Sequence, residues 1–323
     1  MTYYLDNFYS GNINKTYPVL AIGAAGMDIV GKLDGELLPG VSNPAIIRMS
    51  LGGAARNVSE NLVRLGCPVK LLSVLGDDES GNTLLSQAAR VGIDIKDVVR
   101  LKNHSTSSYL AIIDTNGNLG YAIDDMRSVR ELTKEYILAH EEAFQNSSMI
   151  FVDANLSKEA LRTVFSLARK AKVPVCADPA SATLAAKLKP HLDKLFMVVP
   201  NVTEAGILCN STLKANDQQK ALEAAKCLVS QGVVLAIIAL GEYGVCYATS
   251  DTSGRIPAIR TEIVDPTGAG DALTATVIYS LLNDIPLDDA VKLGISAASL
   301  TLNYRGTVVP DLTLEKLYDH MVM

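Results

Sequence analysis

A loop of small residues, Asp265-Pro266-Thr267-Gly268-Ala269-Gly270-Asp271, runs straight into an apolar stretch that reads as a helix from Asp271 to Leu282. That junction constrains the chain more than any other feature. Glycines let a backbone come close to a ligand, and a helix start offers unpaired N–H groups at the positive end of the helix dipole. Gly268, Ala269 and Gly270 are therefore expected to form an anion hole, with Asp271 beside it. An acid at a helix start can simply cap it. A cap needs one polar residue and no glycines, so the loop favours a further role for Asp271, which is to take the proton from a hydroxyl that attacks phosphorus.

A second glycine turn, Gly52-Gly53-Ala54-Ala55-Arg56-Asn57, opens a helix in which Val58, Leu62 and Leu65 keep helical spacing and Gly66 provides the stop. Asn57 could hydrogen-bond a polyol there, although an ordinary turn also explains the glycines. Asp28 comes six residues after Ile22, near the end of the first strand, where its carboxylate could accept bonds from two neighbouring sugar hydroxyls or be a solvated loop acid. Asp153, Asp178, Asn201 and Glu204 stand at expected strand ends, where open α/β sheets bind ligands, and their oxygens suit hydrated Mg²⁺. Taken singly, each reads as a surface or capping residue. Leu240-Gly241-Glu242-Tyr243-Gly244 reads equally as a platform for a purine or as a plain hairpin turn into Val245–Tyr247. The four histidines show no metal spacing and read as surface or loop residues, and the five cysteines, with no C-x-x-C pair, read as reduced structural thiols.

Short β-branched runs recur at 19–22, 69–74, 149–152, 173–177, 195–199 and 233–239, many flanked by helical patterns. This alternation predicts an α/β fold with a mainly parallel central sheet flanked by helices. Segments 29–49 and 105–125 break the rhythm and read as strands of a small β lid. No linker or repeat divides the chain, so residues 18–323 are expected to form one domain behind an arm at 1–17. With 323 residues, 48% of them hydrophobic, the chain can build a substantial core. Its net charge of −6 excludes the basic footprint of a nucleic-acid or anionic-membrane partner, and no secretory leader or spanning segment is evident. A cytoplasmic location is the expectation.

In order and spacing, the Gly-Gly…Asn turn at 52–57, Asn201-x-x-Glu204 and Asp265-x-x-Gly-Ala-Gly-Asp271 resemble the PfkB-type, ribokinase-like carbohydrate kinases along nearly the whole chain from Val19. Segments 42–44, 106–110, 124–126 and 153–157 resemble the branch of that family that phosphorylates pseudouridine. The resemblance implies a three-layer fold with a β lid, and ATP-dependent phosphorylation of a nucleoside 5′-hydroxyl with Asp271 as base. By the same resemblance Asp28, Gly52, Gly53 and Asn57 would hold the ribose, while Ser107, Tyr109 and Asp124 would lie near the base of the nucleoside. Asn201 and Glu204 would organise Mg²⁺ and the phosphates, and Gly241 and Gly244 would line the nucleotide. Asp265, Thr267 and the Gly306 loop would hold K⁺, and lids would pair two copies into a dimer. The chain departs from that pattern at Asp124, where asparagine is usual, and at Pro266. A kinase of another ribosyl compound and a non-catalytic nucleoside or sugar sensor are the rival readings. A dinucleotide-dependent oxidoreductase is disfavoured, because Gly23-Ala24-Ala25-Gly26 lacks the G-x-G-x-x-G spacing.

Overall fold

The apolar runs become strands, and the alternation of their side chains sets the layers. A computed structural model describes residues 14–115 and 119–322. The expected arm therefore lies largely outside the described residues. The strands are β1 (Val19–Ile22), β2 (Gly26–Leu33), β3 (Ala45–Gly52), β4 (Val69–Leu72), β5 (Val74–Gly76), β6 (Val99–Leu101), β7 (Ser107–Ile113) and β8 (Leu119–Asp125). They continue with β9 (Met149–Asp153), β10 (Val175–Asp178), β11 (Met197–Val198), β12 (Leu235–Ala239), β13 (Val245–Ala248) and β14 (Ser253–Ile256). An eight-stranded sheet runs β14-β13-β12-β11-β10-β9-β1-β4 and is parallel from β4 to β12, with β13 and β14 added antiparallel at one edge.

The six helices that matter for the site are α1 (Ala54–Arg64), α2 (Lys158–Ala171), α3 (Val202–Leu208), α4 (Gln218–Ser230), α5 (Ala269–Leu282) and α6 (Leu287–Leu302). Leu20, Ile22, Ile150 and Val152 point to one side of the sheet and pack with α2 and α4. Their neighbours Val19, Ala21, Met149 and Phe151 point to the other and pack with α1, α5 and α6. Period-two alternation in strands buried on both faces thus produces the expected three layers. Ser157 caps α2, its Oγ accepting the Ala160 N–H at 3.0 Å. α5 is apolar on nearly every face because it lies between α1 and α6.

Several boundaries differ from the sequence expectation. The run 69–74 is two strands, because buried Ser73 turns its hydroxyl onto the Gly23 carbonyl at 2.7 Å and the chain leaves the main sheet there to pair with β6. α5 begins at Ala269, two residues before Asp271. The lid is a four-stranded sheet, β3-β2-β7-β8, with residues 34–44 outside its strands. His191 is not a surface residue: it is buried, stacked on Phe165 with ring centroids 4.4 Å apart, and burial with Lys194 nearby lowers its pKa to about 4. Among the described residues, no helix is long and apolar enough to cross a membrane.

Phe151 sits at the centre of the sheet with no exposed surface. Phe151→Ala should cost about 3–5 kcal/mol of stability through lost burial and the cavity left behind. Urea unfolding monitored by circular dichroism measures this, and a loss under ~1 kcal/mol would contradict the packing described.

Candidate active site

The carboxyl ends of β1, β9, β10, β11 and β12 open on a cleft of about 330 Å³, with the lid on its other side. Asp28, Tyr109 and Asp124 reach it from the lid, Gly53 and Asn57 from the start of α1, Asn201 and Glu204 from the start of α3, and Thr267, Gly270 and Asp271 from the start of α5. Three helix N-termini therefore face one space, and their dipoles favour an anionic occupant.

The lid stands close to α1 because two adjacent glycines permit it. Gly52 ends β3, and a side chain there would overlap the Asp28 carboxylate. Gly53, with φ of 92°, forms the N-cap of α1 and lies against the backbone of Ala24 and Ala25. A residue with a side chain would be strained by both the dihedral and the contact. Asp28 is consequently a buried strand residue and not a solvated loop acid. Burial, followed by the Asp265 charge, raises its pKa to about 7 against the opposing pull of Arg56.

At α5, Gly268 is the N-cap in the left-handed region, with φ of 82°, and its Cα faces the Thr307 carbonyl too closely for any side chain. The Asp265 carboxylate accepts the Thr267 N–H at 2.9 Å and shapes the turn before it. Ala272 N–H to Gly268 C=O, at 2.9 Å, is the first bond of the helix, so the N–H groups of Ala269, Gly270 and Asp271 precede the ladder. A side chain at Gly270 would meet nothing within 4 Å, which shows that its Cα borders open cleft. Asp271 occupies the first turn, where its Oδ2 accepts the Asn57 Nδ2 at 2.8 Å. Burial raises its pKa to about 7, and the Asp28 and Asp153 charges add to this, while the Asn57 bond and Arg56 oppose it. A carboxylate poised near neutrality beside three free N–H groups can accept a proton while an anion is held.

Asn201 and Glu204 form a capping box on α3: Asn201 Oδ1 accepts the Glu204 N–H at 3.0 Å, and Glu204 Oε2 accepts the Asn201 N–H at 2.9 Å. The box explains this pairing structurally; Glu204 also lines the cleft, and burial raises its carboxyl pKa. Asp178 lies nearby, its pKa also raised by burial and by the Asp271 and Glu204 charges. No three His, Cys, Asp or Glu side chains among the described residues are grouped to hold a metal ion. The Glu204 carboxylate at the cleft wall fits a Mg²⁺ held chiefly by phosphate oxygens and water.

Other expected residues stand elsewhere. Asp153 lies beneath the cleft floor, fully buried, accepting N–H groups from Ala24 at 2.7 Å and Asn155 at 2.9 Å. It ties the β1–β2 connection to β9 and does not face a ligand. The Ser107 hydroxyl is buried against that of Ser128 at 2.7 Å, outside the lining of the cleft. Gly241 sits in an exposed turn, and Gly244, with φ of 87°, is pressed against the backbone of residues 256–258. Neither borders the cleft, although Ala239 just before them does. Asp265 is buried behind the wall, and Gly306 lies against the Tyr304 ring.

The sequence reading assigned no part to Ala180 and Ser181, which line the cleft, nor to Arg56. Ala180 has φ of 61°, a left-handed alanine that no local pattern announces. Arg56 carried one usable signal, Glu60 four residues on along the same helix.

The sequence pattern of the pfkB family carbohydrate kinases matches residues 18–314. A pseudouridine kinase of Escherichia coli (strain K12) is 33% identical over 301 residues, covering 93% of this chain and 95% of that protein. A guanosine-inosine kinase of Exiguobacterium acetylicum is 26% identical over 297 residues, covering 91% of this chain and 97% of the relative. Among solved structures, Arabidopsis thaliana ribokinase shares the fold with a TM-score of 0.81 and 20% identity, covering 95% of this chain and 99% of that one. The chain belongs to the pfkB family of carbohydrate kinases and is a phosphotransferase that acts on a hydroxyl group.

Proposed function

We propose that the protein transfers the γ-phosphoryl group of ATP to the 5′-hydroxyl of pseudouridine, with Asp271 as the base. The observation that carries this reading is the placement of Asp271, bonded to Asn57 and flanked by the free N–H groups of α5, in a cleft whose opposite wall is the lid. The hydroxyl loses its proton to Asp271 as it attacks phosphorus, and the N–H groups of Ala269 and Gly270 receive the charge of the transferring group. Mg²⁺, when bound through Glu204 and water, neutralises phosphate charge. The 33% identity to a pseudouridine kinase over 93% of the chain supports the acceptor. Asp28, Asn57 and Gly53 would grip the ribose and Tyr109 and Asp124 would read the base, and all five line the cleft. Gly241 and Gly244, beyond the end of β12, would support the adenine.

The buried Asp265 carboxylate, close enough to raise the Asp28 pKa, supports a monovalent cation such as K⁺ held with Thr267 and the Gly306 loop. A purine nucleoside is the second acceptor reading, favoured by the likeness to a guanosine-inosine kinase. Residues 18–323 would act as one kinase domain.

The lid also supports a second copy of the chain as partner. Its face away from the cleft carries Met49, Ile29, Leu110 and Ile123 in one cross-strand row and Ile47, Ile112 and Tyr121 in the next. Ile47 is 69% exposed and Ile123 67%, which is the kind of apolar patch that a partner covers.

ATP consumption should be fastest with pseudouridine among pseudouridine, uridine, ribose and guanosine, and Asp271→Asn should lower kcat by ~10²–10⁴-fold while substrate still binds. Preference for ribose would overturn the acceptor, and undiminished turnover would overturn the base. Because Asp271 must be ionised to act and its pKa is raised to about 7, kcat/KM should climb with pH up to about 7 and level off above it. The same shift means the folded state keeps a proton that the unfolded chain releases, so this group's contribution to stability is full below its unfolded pKa of 3.8 and is lost as pH rises through about 7. Sedimentation should report a dimer for the native chain and a monomer for Ile47→Glu; equal masses would count against the lid as the interface.

A further inference from the structure

Arg56 is a buried cation that the proposed chemistry leaves without a part. Its side chain is 6% exposed, and its guanidinium meets four partners on three segments, β3, α1 itself and the stretch that carries Thr307. Nη2 meets the Glu60 carboxylate one turn along α1. Nη1 donates to the Leu51 carbonyl at 3.1 Å, to Asn57 Oδ1 at 2.9 Å and to the Thr307 hydroxyl at 3.2 Å. Leu51 lies in β3 at the root of the lid. Thr307 donates its own hydroxyl to the same Leu51 carbonyl at 2.6 Å, and its backbone carbonyl lies against Gly268, the N-cap of α5.

The Asn57 contact fixes an orientation. A guanidinium only donates hydrogen bonds, so the amide atom it meets must be the oxygen. The amide nitrogen is then turned toward Asp271, to which it donates at 2.8 Å. With the amide reversed, its oxygen would face the Asp271 carboxylate, two acceptors with no proton between them.

We propose that Arg56 is a positioning residue for phosphoryl transfer: it holds the Asn57 amide toward Asp271 and ties that pair to the root of the lid and to the loop behind the anion hole. A lysine cannot substitute, since one ammonium on a flexible stem cannot serve Leu51, Asn57, Thr307 and Glu60 with a planar fork. The charged groups around Asp271 are Arg56 on α1, Asp28 on the lid, and Asp153 and Asp178 at the ends of β9 and β10. Arg56 is the only cation among them, and losing it also releases Asn57, the side-chain donor to Asp271 among the described residues.

The proposal rests on Asp271 as the base, and its test separates the two. Arg56→Lys, and Arg56→Met combined with Glu60→Gln so that no carboxylate is left buried alone, are compared with the native enzyme by thermal unfolding and by pH profiles of kcat and kcat/KM. The expected result is a fall in kcat of more than ~10-fold, with the limb near pH 7 moved upward by roughly one pH unit and the KM for ATP little changed. In an Asn57→Ala background, Arg56→Lys should move the limb no further. A fall in kcat with an unmoved limb in a folded variant would reduce Arg56 to a structural strut, and a full further shift in the Asn57→Ala background would show that it does not act through Asn57. If the double variant fails to fold, Arg56→Lys and its Asn57→Ala cycle decide alone. Full turnover by Asp271→Asn would remove the base itself, which is a different failure.

Discussion

Buried and half-buried carboxylates crowd one end of the sheet, and the structure is arranged around keeping them there. Asp28, Asp153, Asp178, Glu204 and Asp271 all have raised pKa values, with burial as the first cause in each. Charges in such a place need donors. Asp153 takes the N–H groups of Ala24 and Asn155, Asp178 that of Ala180, Glu204 that of Asn201, and Asp271 the amide of Asn57. Arg56 supplies positive charge, although its own burial lowers its pKa to about 10. Most of these donors are backbone groups at strand ends and helix starts, which only the parallel topology brings to one side. The carboxylates remain hard to ionise, and that reserve of reactivity suits a site handling protons near neutrality.

Two close backbone approaches set the distances within this cluster. Gly53 lets α1 start directly against Ala24 and Ala25, and Gly268 lets α5 start directly against Thr307. A side chain at either would push its helix outward, and the Asn57–Asp271 bond, which spans 214 residues of sequence at 2.8 Å, could not survive a shift of that size. Glycine here is a condition on geometry between helices, beyond its use in a turn. The conformational entropy these glycines cost on folding is offset by the packing of α1 and α5 against the sheet.

The sequence made the architecture readable because buried parallel strands are nearly continuous β-branched runs, and those runs survive as the central sheet. It also made readable which residues share the cleft: Asp28, Gly53, Asn57, Tyr109, Asp124, Asn201, Glu204, Thr267, Gly270 and Asp271 all line it. What escaped depended on long-range partners. Nothing near Asp153 says that it bonds to Ala24, 129 residues away, and nothing near Arg56 points to Thr307, 251 residues away. Gly244 was legible as a glycine in a turn, but not the tight passage it makes against the backbone of residues 256–258. The break at Ser73 was hidden because a single polar residue inside an apolar run is ordinary, and only the Gly23 carbonyl opposite makes it a corner.

The lid concentrates two demands in one thin sheet. Its register sets Ser50, Asp28, Tyr109 and Asp124 side by side across all four strands on the cleft side. One residue along, the same register sets Met49, Ile29, Leu110 and Ile123 side by side on the opposite face. Because side chains alternate with a period of two, a slip of one residue in any strand would exchange the faces, carrying carboxylates outward and isoleucines into the cleft. The polar row and the apolar row therefore pin each other. Each strand is registered by the ligand side and by the outer side together, and substitution on the outer face reaches the cleft through the position of Asp28 and Tyr109.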